Sequence, residues 1–339
     1  MKIVFMGTAE LSCASLEALA RDKQFLAAAV VTQPDRPKGR DLKEQPSPVK
    51  TVALRLGLRV LQPARVRDEL FIAELRTLQP DLIVVAAYGQ ILPQSILDLP
   101  RHGCLNVHTS LLPKYRGAAP IQWAIANGDT ETGVTIMKMD AGLDTGAIVA
   151  QWRTPIQPAD DSATLHDRLA RLGAELLVKT IPDFVAGKIQ PKPQPAEGVS
   201  HAPKIKKEDG RIDWNLPAKT IGNRLRAFTP WPGAFTLLQV ESKPQLLKIW
   251  KAEVVESRDG KDGSRSRPIG GETSAGRPGE AILPEKPGII LSAGKDGIVV
   301  ACGKDALRIL ELQREGGRRM SAVEFLTGHA LKVGEEFEG

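Results

Sequence analysis

The stretch MKIVFMGTAELSCASLEALARDKQFLAAAVVT (residues 1–32) decides the fold class. Residues 2–6 and 25–32 are apolar runs of strand length, and residues 10–21 between them have the apolar spacing of an amphipathic helix. A strand, a helix and a second strand in this order open a β-α-β unit, in which the two strands lie parallel. The sequence therefore predicts an α/β domain built on a mostly parallel sheet. The turn at Gly7 lacks the G-x-G-x-x-G spacing, which argues against a dinucleotide.

The second half of the chain follows a different pattern. Residues 190–208 contain four prolines and no hydrophobic period, which predicts a semi-rigid, extended linker after a first domain over 1–189. In residues 209–334 short apolar runs alternate with turn signals, and this pattern is typical of a small β-barrel of the oligonucleotide-binding (OB-like) kind. Residues 256–280 are rich in Gly, Ser and Arg, and we expect them to form a flexible insertion.

Composition limits the class of protein. The 339 residues suffice for two cores, and no apolar run reaches the ~18 residues that a membrane-spanning helix needs. Three cysteines far apart predict neither a disulfide framework nor a thiol zinc site, which favours the cytoplasm. The five histidines form no ligand-spaced cluster, so no metal is expected.

Positive charge is concentrated in one segment. The net charge is +6, and residues 202–251 hold ten basic and four acidic side chains, a difference of +6. An anionic partner such as a nucleic acid would explain this excess, and so would an ordinary solvated surface.

The proline-rich stretch QPDRPKGRDLKEQPSPVK (residues 33–50) is a long irregular loop. Loops of this length inside a compact domain are usually functional or disordered. An arm facing phosphates and a mobile solvated loop are equally compatible with its basic residues, which are Arg36, Lys38, Arg40, Lys43 and Lys50.

The stretch NVHTSLLPKYRGAAP (residues 106–120) suggests a reaction site. Asn106 and His108 are two residues apart in an apolar strand, so they share a face where the strand opens into a loop. The amide can donate to a developing oxyanion, and an imidazole can move a proton near neutral pH. Asp144 is the candidate carboxylate that would hold the ring and favour the imidazolium. A histidine at a strand end is also commonly structural, and the neighbouring polar Asn106 argues against that alternative.

Motifs spread over most of the chain resemble the methionyl-tRNA formyltransferase family within the folate-dependent formyltransferases. The Asn-x-His and Leu-Asp-Thr-Gly pieces alone would indicate only the wider superfamily. The matching segments are Gln33–Pro37, Pro46–Lys50, Ala87–Gly89, Asn106–Pro120, Gly133–Met137, Gly142–Gly146, Ile212–Trp214 and Arg226–Pro232.

The resemblance implies a Rossmann-like formyltransferase domain followed by an OB-like, tRNA-binding barrel. It also implies formyl transfer from 10-formyltetrahydrofolate to the amino group of methionyl-initiator-tRNA, by a cytoplasmic enzyme for which a monomer suffices. The catalytic positions would be Asn106, His108 and Asp144. The implied folate-binding residues are Ser110, Leu111, Leu112, Pro113, Ala86, Tyr88, Gly89, Ile91, Leu92 and Asp140. The implied tRNA-binding residues are Arg36, Lys38, Arg40, Lys43, Lys206, Lys207 and Arg226.

Two other hypotheses compete with this one. The acceptor could be water, a nucleotide sugar or glycinamide ribotide, although a small acceptor needs neither the basic loop nor the second domain. Alternatively, the chain could be an RNA-binding module on an inactive α/β scaffold, although the set of Asn106, His108 and Asp144 is complete. Titration with tRNA tests the first alternative, and folate binding tests the second.

Overall fold

A computed structural model describes residues 1–38, 43–240, 243–256 and 286–338. Arg40 and all but the first residue of the predicted insertion 256–280 lie outside these ranges. The chain divides into two units, Met1–Ala124 with Asp129–Lys204, and Ile125–Gly128 with the chain from Ile205 onward.

The first unit is built on a seven-stranded sheet in the order β10-β9-β7-β6-β1-β2-β5. The pairs among β7, β6, β1, β2 and β5 are parallel, and β9 and β10 are antiparallel to their neighbours. The predicted mostly parallel sheet is therefore confirmed. The strands of this unit are β1 (Lys2–Gly7), β2 (Leu26–Val31), β3 (Arg36–Lys38), β4 (Lys43–Gln45), β5 (Val60–Leu61), β6 (Leu82–Ala86), β7 (Cys104–His108), β8 (Arg116–Gly117), β9 (Glu131–Lys138), β10 (Ala147–Pro155) and β11 (His201–Ala202).

Three helices of the first unit begin at side chains that cap them. Ser47 caps a helix by accepting a hydrogen bond from the Lys50 amide, and Pro48 occupies the first turn, where its missing N–H costs nothing. Asp68 and Asp161 cap two later helices in the same way. The helices are α1 (Leu11–Arg21), α2 (Pro48–Arg55), α3 (Glu69–Leu78), α4 (Gln94–Leu97), α5 (Pro120–Ala126) and α6 (Ser162–Val185).

Residues 190–204, which the sequence predicts to be linker, pair with the first unit. Lys192 exchanges backbone hydrogen bonds with Ile148, at 2.7 and 2.8 Å. Strand β11 pairs in parallel with β8, so His201 lies opposite Arg116. The prolines exclude a helix here, but the free N–H groups between them are available for pairing with another strand.

The second unit is an antiparallel sheet curled into a small barrel, as the strand pattern predicts. Its sheet runs β14-β15-β16-β13-β12-β18, with β17 paired to β16, and the Ile289–Glu336 bridge joins the two ends. Its buried core includes Trp214, Leu247 and Phe325. The elements are a 3-10 turn (Lys207–Gly210), α7 (Ala218–Ala227), β12 (Ala234–Val240), β13 (Lys243–Val255), β14 (Ile290–Gly294), β15 (Gly297–Ala301), β16 (Ala306–Arg314), β17 (Arg319–Ser321), α8 (Ala322–Gly328) and β18 (Phe337–Glu338).

Within the described ranges, no helix combines the length and the apolar character that crossing a membrane requires.

Candidate active site

The candidate site lies at the carboxyl edge of the first sheet. Strands β6 and β7 are parallel neighbours, and they end side by side at Ala86 and His108. Ligands of open α/β sheets bind beyond such strand ends. A cavity of about 720 Å³ opens there, and the residues that line it come from five parts of the first unit. These parts are Leu11, Val85 with Ala87–Leu92, Asn106–Thr109 with Arg116–Ala118 and Pro120, Met137 with Met139–Asp144, and His201–Lys204.

The ring of His108 is oriented by a backbone carbonyl. Its Nε2 lies 2.9 Å from the carbonyl oxygen of Tyr115, and the side chain is only 6% exposed. Because a carbonyl oxygen can only accept, Nε2 must carry the hydrogen. In the neutral ring the lone pair is then on Nδ1, which lies 3.7 Å from Oδ2 of Asp144. Nδ1 is therefore the atom that can take a proton, and it faces a carboxylate.

Asp144 is held by backbone groups. Its Oδ2 accepts a hydrogen bond of 2.8 Å from the Gly117 amide, and its own φ of +53° is in the left-handed region. Ala87 and Tyr115, at φ +41° and +62°, are also left-handed residues in the loops that form the site. Non-glycine residues adopt this conformation rarely, and such positions concentrate at functional sites.

Asn106 presents unused hydrogen-bonding capacity to the cavity. Its side chain is 9% exposed and lines the cavity beside His108. Within the described ranges, the side-chain amide makes no hydrogen bond to the protein. Since buried amides are normally hydrogen-bonded, this side chain is available to a ligand.

Another part of the lining is largely apolar. It includes the predicted folate-binding residues Tyr88, Gly89, Ile91 and Leu92, and the side chain of Ile91 is 70% exposed. The Tyr88 hydroxyl is buried without a hydrogen-bond partner among the described residues, and burial raises its pKa to about 12. Asp140 also lines the cavity, and its Oδ1 accepts from Thr145 and Gly142, which stabilises the 140–145 turn.

Five predicted folate-binding residues do not line the cavity, namely Ala86 and the run Ser110–Pro113. The Ser110 hydroxyl is fully buried and donates to the Lys114 carbonyl at 2.6 Å. The Thr135 hydroxyl donates to the Ser110 carbonyl at 2.6 Å and accepts from the Leu112 amide at 3.1 Å. These polar groups are therefore used in holding the loop that follows β7.

The predicted tRNA-binding residues lie in both units. In the first unit, Arg36 is exposed and donates to the Gln33 side chain at 2.7 Å. Lys38 and Lys43 lie opposite each other in the β3–β4 hairpin, and the structure describes only their backbone. In the second unit, Lys206 and Lys207 are exposed at the 3-10 turn, and Arg226 donates to the Asn223 side chain at 2.9 Å.

Sequence reasoning missed the groups that act through the backbone or from the 190–204 segment. The Tyr115 carbonyl and the Gly117 amide are atoms that every residue has, so no sequence signal marks them. Gln194, His201 and Lys204 lie in a proline-rich stretch, where side chains are not expected to reach a site. The pairing of β8 with β11, which brings this stretch to the cavity, is a long-range contact without a local signature.

Comparison with known proteins identifies the family. The model of the formyl transferase domain matches residues 1–181, and the model of the formyl transferase C-terminal domain matches residues 204–330. The methionyl-tRNA formyltransferase of Caldanaerobacter subterraneus subsp. tengcongensis is 48% identical over 335 residues, which cover 98% of this chain and 99% of the relative. The methionyl-tRNA formyltransferase of Myxococcus xanthus is 48% identical over 99% of this chain and 97% of its own length. The chain belongs to the methionyl-tRNA formyltransferase family.

Solved structures with low identity share the fold with this member of the methionyl-tRNA formyltransferase family. HypX from Aquifex aeolicus in complex with tetrahydrofolic acid is 18% identical with a TM-score of 0.56, and the match covers 99% of this chain but 48% of HypX. An N-formyltransferase from Helicobacter canadensis, in complex with folinic acid and dTDP-3-aminofucose, is 17% identical with a TM-score of 0.59. That match covers 91% of this chain and 98% of the other. At these identities the comparison concerns the fold alone.

Proposed function

We propose that this chain transfers the formyl group of 10-formyltetrahydrofolate to the amino group of methionyl-initiator-tRNA. The observation that carries the proposal is the arrangement at one cavity of a buried amide, Asn106, and an imidazole, His108, whose free nitrogen faces the carboxylate of Asp144. The product would be formylmethionyl-tRNA for the initiation of translation.

The three side chains match the steps of formyl transfer. A free α-amino group has a pKa of ~7.7–8.0, so it is largely protonated at neutral pH and must lose a proton to attack. The ammonium form first releases one proton to solvent, which leaves the neutral amine that attacks. As the new C–N bond forms, the attacking nitrogen becomes cationic and His108 Nδ1 accepts a proton from it, while Asp144 stabilises the resulting imidazolium. Asn106 donates to the oxyanion of the tetrahedral intermediate. The proton then passes from His108 to the folate nitrogen as its bond to the formyl carbon breaks.

The apolar part of the lining supports a folate donor. A pterin ring is flat and largely apolar on its faces, and Ile91 and Leu143, which are 70% and 60% exposed, give the cavity apolar surface that such a ring would cover. Asp140 and the backbone of 87–89 supply polar groups for the ring edge. In this proposal Ala86 and Ser110–Pro113 act by fixing the adjoining loops.

The RNA side of the proposal rests on positive charge. The partly buried Arg226, in a domain over 209–334, and the exposed Lys206 and Lys207, just before that domain, would contact the acceptor arm. Arg36, Lys38, Arg40 and Lys43 would approach the acceptor end from the catalytic domain over 1–189. One chain supplies every proposed catalytic group, so a monomer is sufficient. The proposed place of action is the cytoplasm.

The decisive assay supplies formyl-folate and charged initiator tRNA, with charged elongator methionine tRNA as the control. We expect formylation of the initiator species and at least ~10-fold less of the elongator species. Equal rates on both would contradict the proposed acceptor. Hydrolysis of the donor without transfer would instead favour water as the acceptor.

A salt titration tests the RNA surface separately. Replacing Lys206 and Lys207 with Ala should weaken tRNA binding and reduce the slope of log affinity against log salt by about 1 for each phosphate that is no longer neutralised. Lys188→Ala, which removes a lysine that is 72% exposed just after α6, is the matched control. An unchanged slope in the double variant would remove these lysines from the interface.

A further inference from the structure

Gln194 connects the two loops that hold the proposed catalytic carboxylate. It lies in the 190–204 segment, ten residues before the end of the first unit, and its side chain is partly buried. We propose that Gln194 is a positioning residue that fixes Asp144 opposite His108. This inference rests on the proposed function, because it concerns the geometry of the formyl-transfer site.

The side-chain amide of Gln194 uses its full hydrogen-bonding capacity. Its Nε2 donates to the backbone carbonyls of Asp144 and Gly146, each at 2.8 Å. Its Oε1 accepts from Nε and Nη2 of Arg116, at 3.1 and 2.7 Å. Two N–H donors and two oxygen lone pairs are all that a carboxamide offers, so this side chain is fully satisfied. The partners also fix its orientation, since a guanidinium can only donate and a carbonyl can only accept.

These bonds link both sides of the Asp144 carboxylate. The carbonyl contacts hold the left-handed backbone of Asp144 itself. The Arg116 contact holds the residue before Gly117, whose amide donates to Asp144 Oδ2 at 2.8 Å. Arg116 is in turn paired with His201 across β8 and β11. Gln194 thus links the backbone of Asp144, which carries the carboxylate, to Arg116, which precedes the Gly117 amide that orients the carboxylate.

Other side chains would not reproduce this connection. A glutamate could pair with Arg116, but it would face two carbonyl oxygens with an oxygen of its own and leave both without a donor. A methionine has a similar length and can make none of the four bonds. Asparagine is shorter by one methylene, so it cannot reach both sets of partners at once.

The test compares Gln194→Glu and Gln194→Met with the wild-type protein in single-turnover formyl transfer. Gln190→Glu is the matched control, because Gln190 is exposed in the same segment and donates to one carbonyl, that of Gly187, at 3.0 Å. We expect both Gln194 variants to lose about 10- to 100-fold in turnover, as a misplacement of about 1 Å would cause, with KM for tRNA and folate within ~3-fold. Gln190→Glu should lose less than ~2-fold.

Combination with Asp144→Asn separates positioning from a general loss of structure. If Gln194 acts through Asp144, adding Gln194→Glu to Asp144→Asn should cost less than ~3-fold further. The same 10- to 100-fold loss in both backgrounds would overturn the proposal, as would near-normal turnover of the single variants.

Hydrogen exchange keeps this inference distinct from the proposed function. In Gln194→Glu, peptides covering residues 140–148 should take up deuterium faster than in the wild-type protein, whichever substrate the enzyme uses. If the wild-type protein fails to formylate tRNA, the proposed function is wrong, and the hydrogen-exchange result alone tests whether Gln194 positions Asp144. Unchanged uptake in that segment would overturn the role of Gln194.

Discussion

Replacing Asp144 with asparagine isolates the charge that faces the proposed base. The change keeps the size of the side chain and an oxygen that can accept from the Gly117 amide, whose nitrogen lies 2.8 Å from Asp144 Oδ2 in the wild-type protein. It removes the negative charge that lies 3.7 Å from His108 Nδ1. The folded structure should therefore persist while the stabilisation of the protonated ring is lost.

The separation of the two groups gives the size of the effect. The side chains of His108 and Asp144 are 6% and 14% exposed, so water screens the pair only partly. With an effective dielectric constant of ~20, unit charges 3.7 Å apart attract by about 4 kcal/mol. This attraction exists only after the ring has taken up a proton, so it lowers the barrier without tightening substrate binding. A loss of about 4 kcal/mol corresponds to about 10³-fold in rate.

The assay is single-turnover formyl transfer with enzyme in excess, so that the chemical step is observed. We expect Asp144→Asn to be slower by about 10³-fold, with KM for both substrates within ~3-fold and an unchanged Tm. The matched control is Asp183→Asn, which removes the same charge from a carboxylate that is 51% exposed. A rate for Asp144→Asn within ~5-fold of the wild-type rate would refute the electrostatic role. A defect confined to the KM for tRNA would assign Asp144 to binding.

Three further predictions concern the oxyanion donor, one glycine and two thiols. Asn106→Ala should lower turnover by ~10²–10³-fold without lowering Tm, and near-normal turnover would remove Asn106 from the mechanism. Gly117→Ala should lower the free energy of unfolding in urea by at least ~2 kcal/mol, because φ of Gly117 is +122° and the new Cβ would lie 2.7 Å from a carbonyl oxygen of β11. Gly57→Ala is the control and should cost less, because φ of Gly57 is +67° and no atom lies within 4 Å of the new Cβ. Burial raises the pKa of Cys104 and Cys302 to about 12, so the folded protein holds these two thiol protons more tightly than the unfolded chain, in which the thiol pKa is ~8.5. Their contribution to the free energy of unfolding is therefore complete below pH ~8.5 and is lost as the pH rises toward 12. The urea midpoint should therefore fall between pH 8 and pH 10, and a flat profile would contradict the burial of these thiols.

The fold was predictable where periodicity is local. The apolar run Leu82–Ala86 is buried at every position, and the Ser47-Pro48 pair begins a helix as its capping chemistry dictates. The short runs of the second unit indicated a barrel for the same reason. Helix α7 was missed because the stretch around Pro217 offers no side-chain cap and contains Gly222. Strand β11 was missed because two residues beside prolines carry no period.

The candidate site was predictable to the extent that strands carry it. Asn106 and His108 share a strand face, and period two is enough to place them together. The approach of Asp144 depends on a turn between β9 and β10, so the residue types suggested its role but no pattern gave its distance. The resemblance implies a folate-binding role for Ser110, and in the structure the Ser110 hydroxyl donates to the Lys114 carbonyl. A buried hydroxyl and a ligand-binding hydroxyl look the same in a sequence.

The hydrogen bonding of His108 separates two tasks in the proposed mechanism, which are to orient the ring and to stabilise its charge. In a catalytic triad the carboxylate both orients the ring and stabilises its charge. Here the Tyr115 carbonyl, 2.9 Å from Nε2, orients the ring, and Asp144 stands beyond hydrogen-bonding distance of Nδ1. The gap leaves Nδ1 open to a substrate proton, while the carboxylate remains near enough to stabilise the charge that the proton brings. Other groups must then set the position of Asp144, and among the described residues Gly117 donates to its carboxylate and Gln194 to its backbone carbonyl. The Asp144 carboxylate would therefore stabilise the protonated His108 ring electrostatically, without a direct hydrogen bond. This stabilisation depends on the distance between the two groups, and the hydrogen bonds from Gly117 and Gln194 to Asp144 fix that distance.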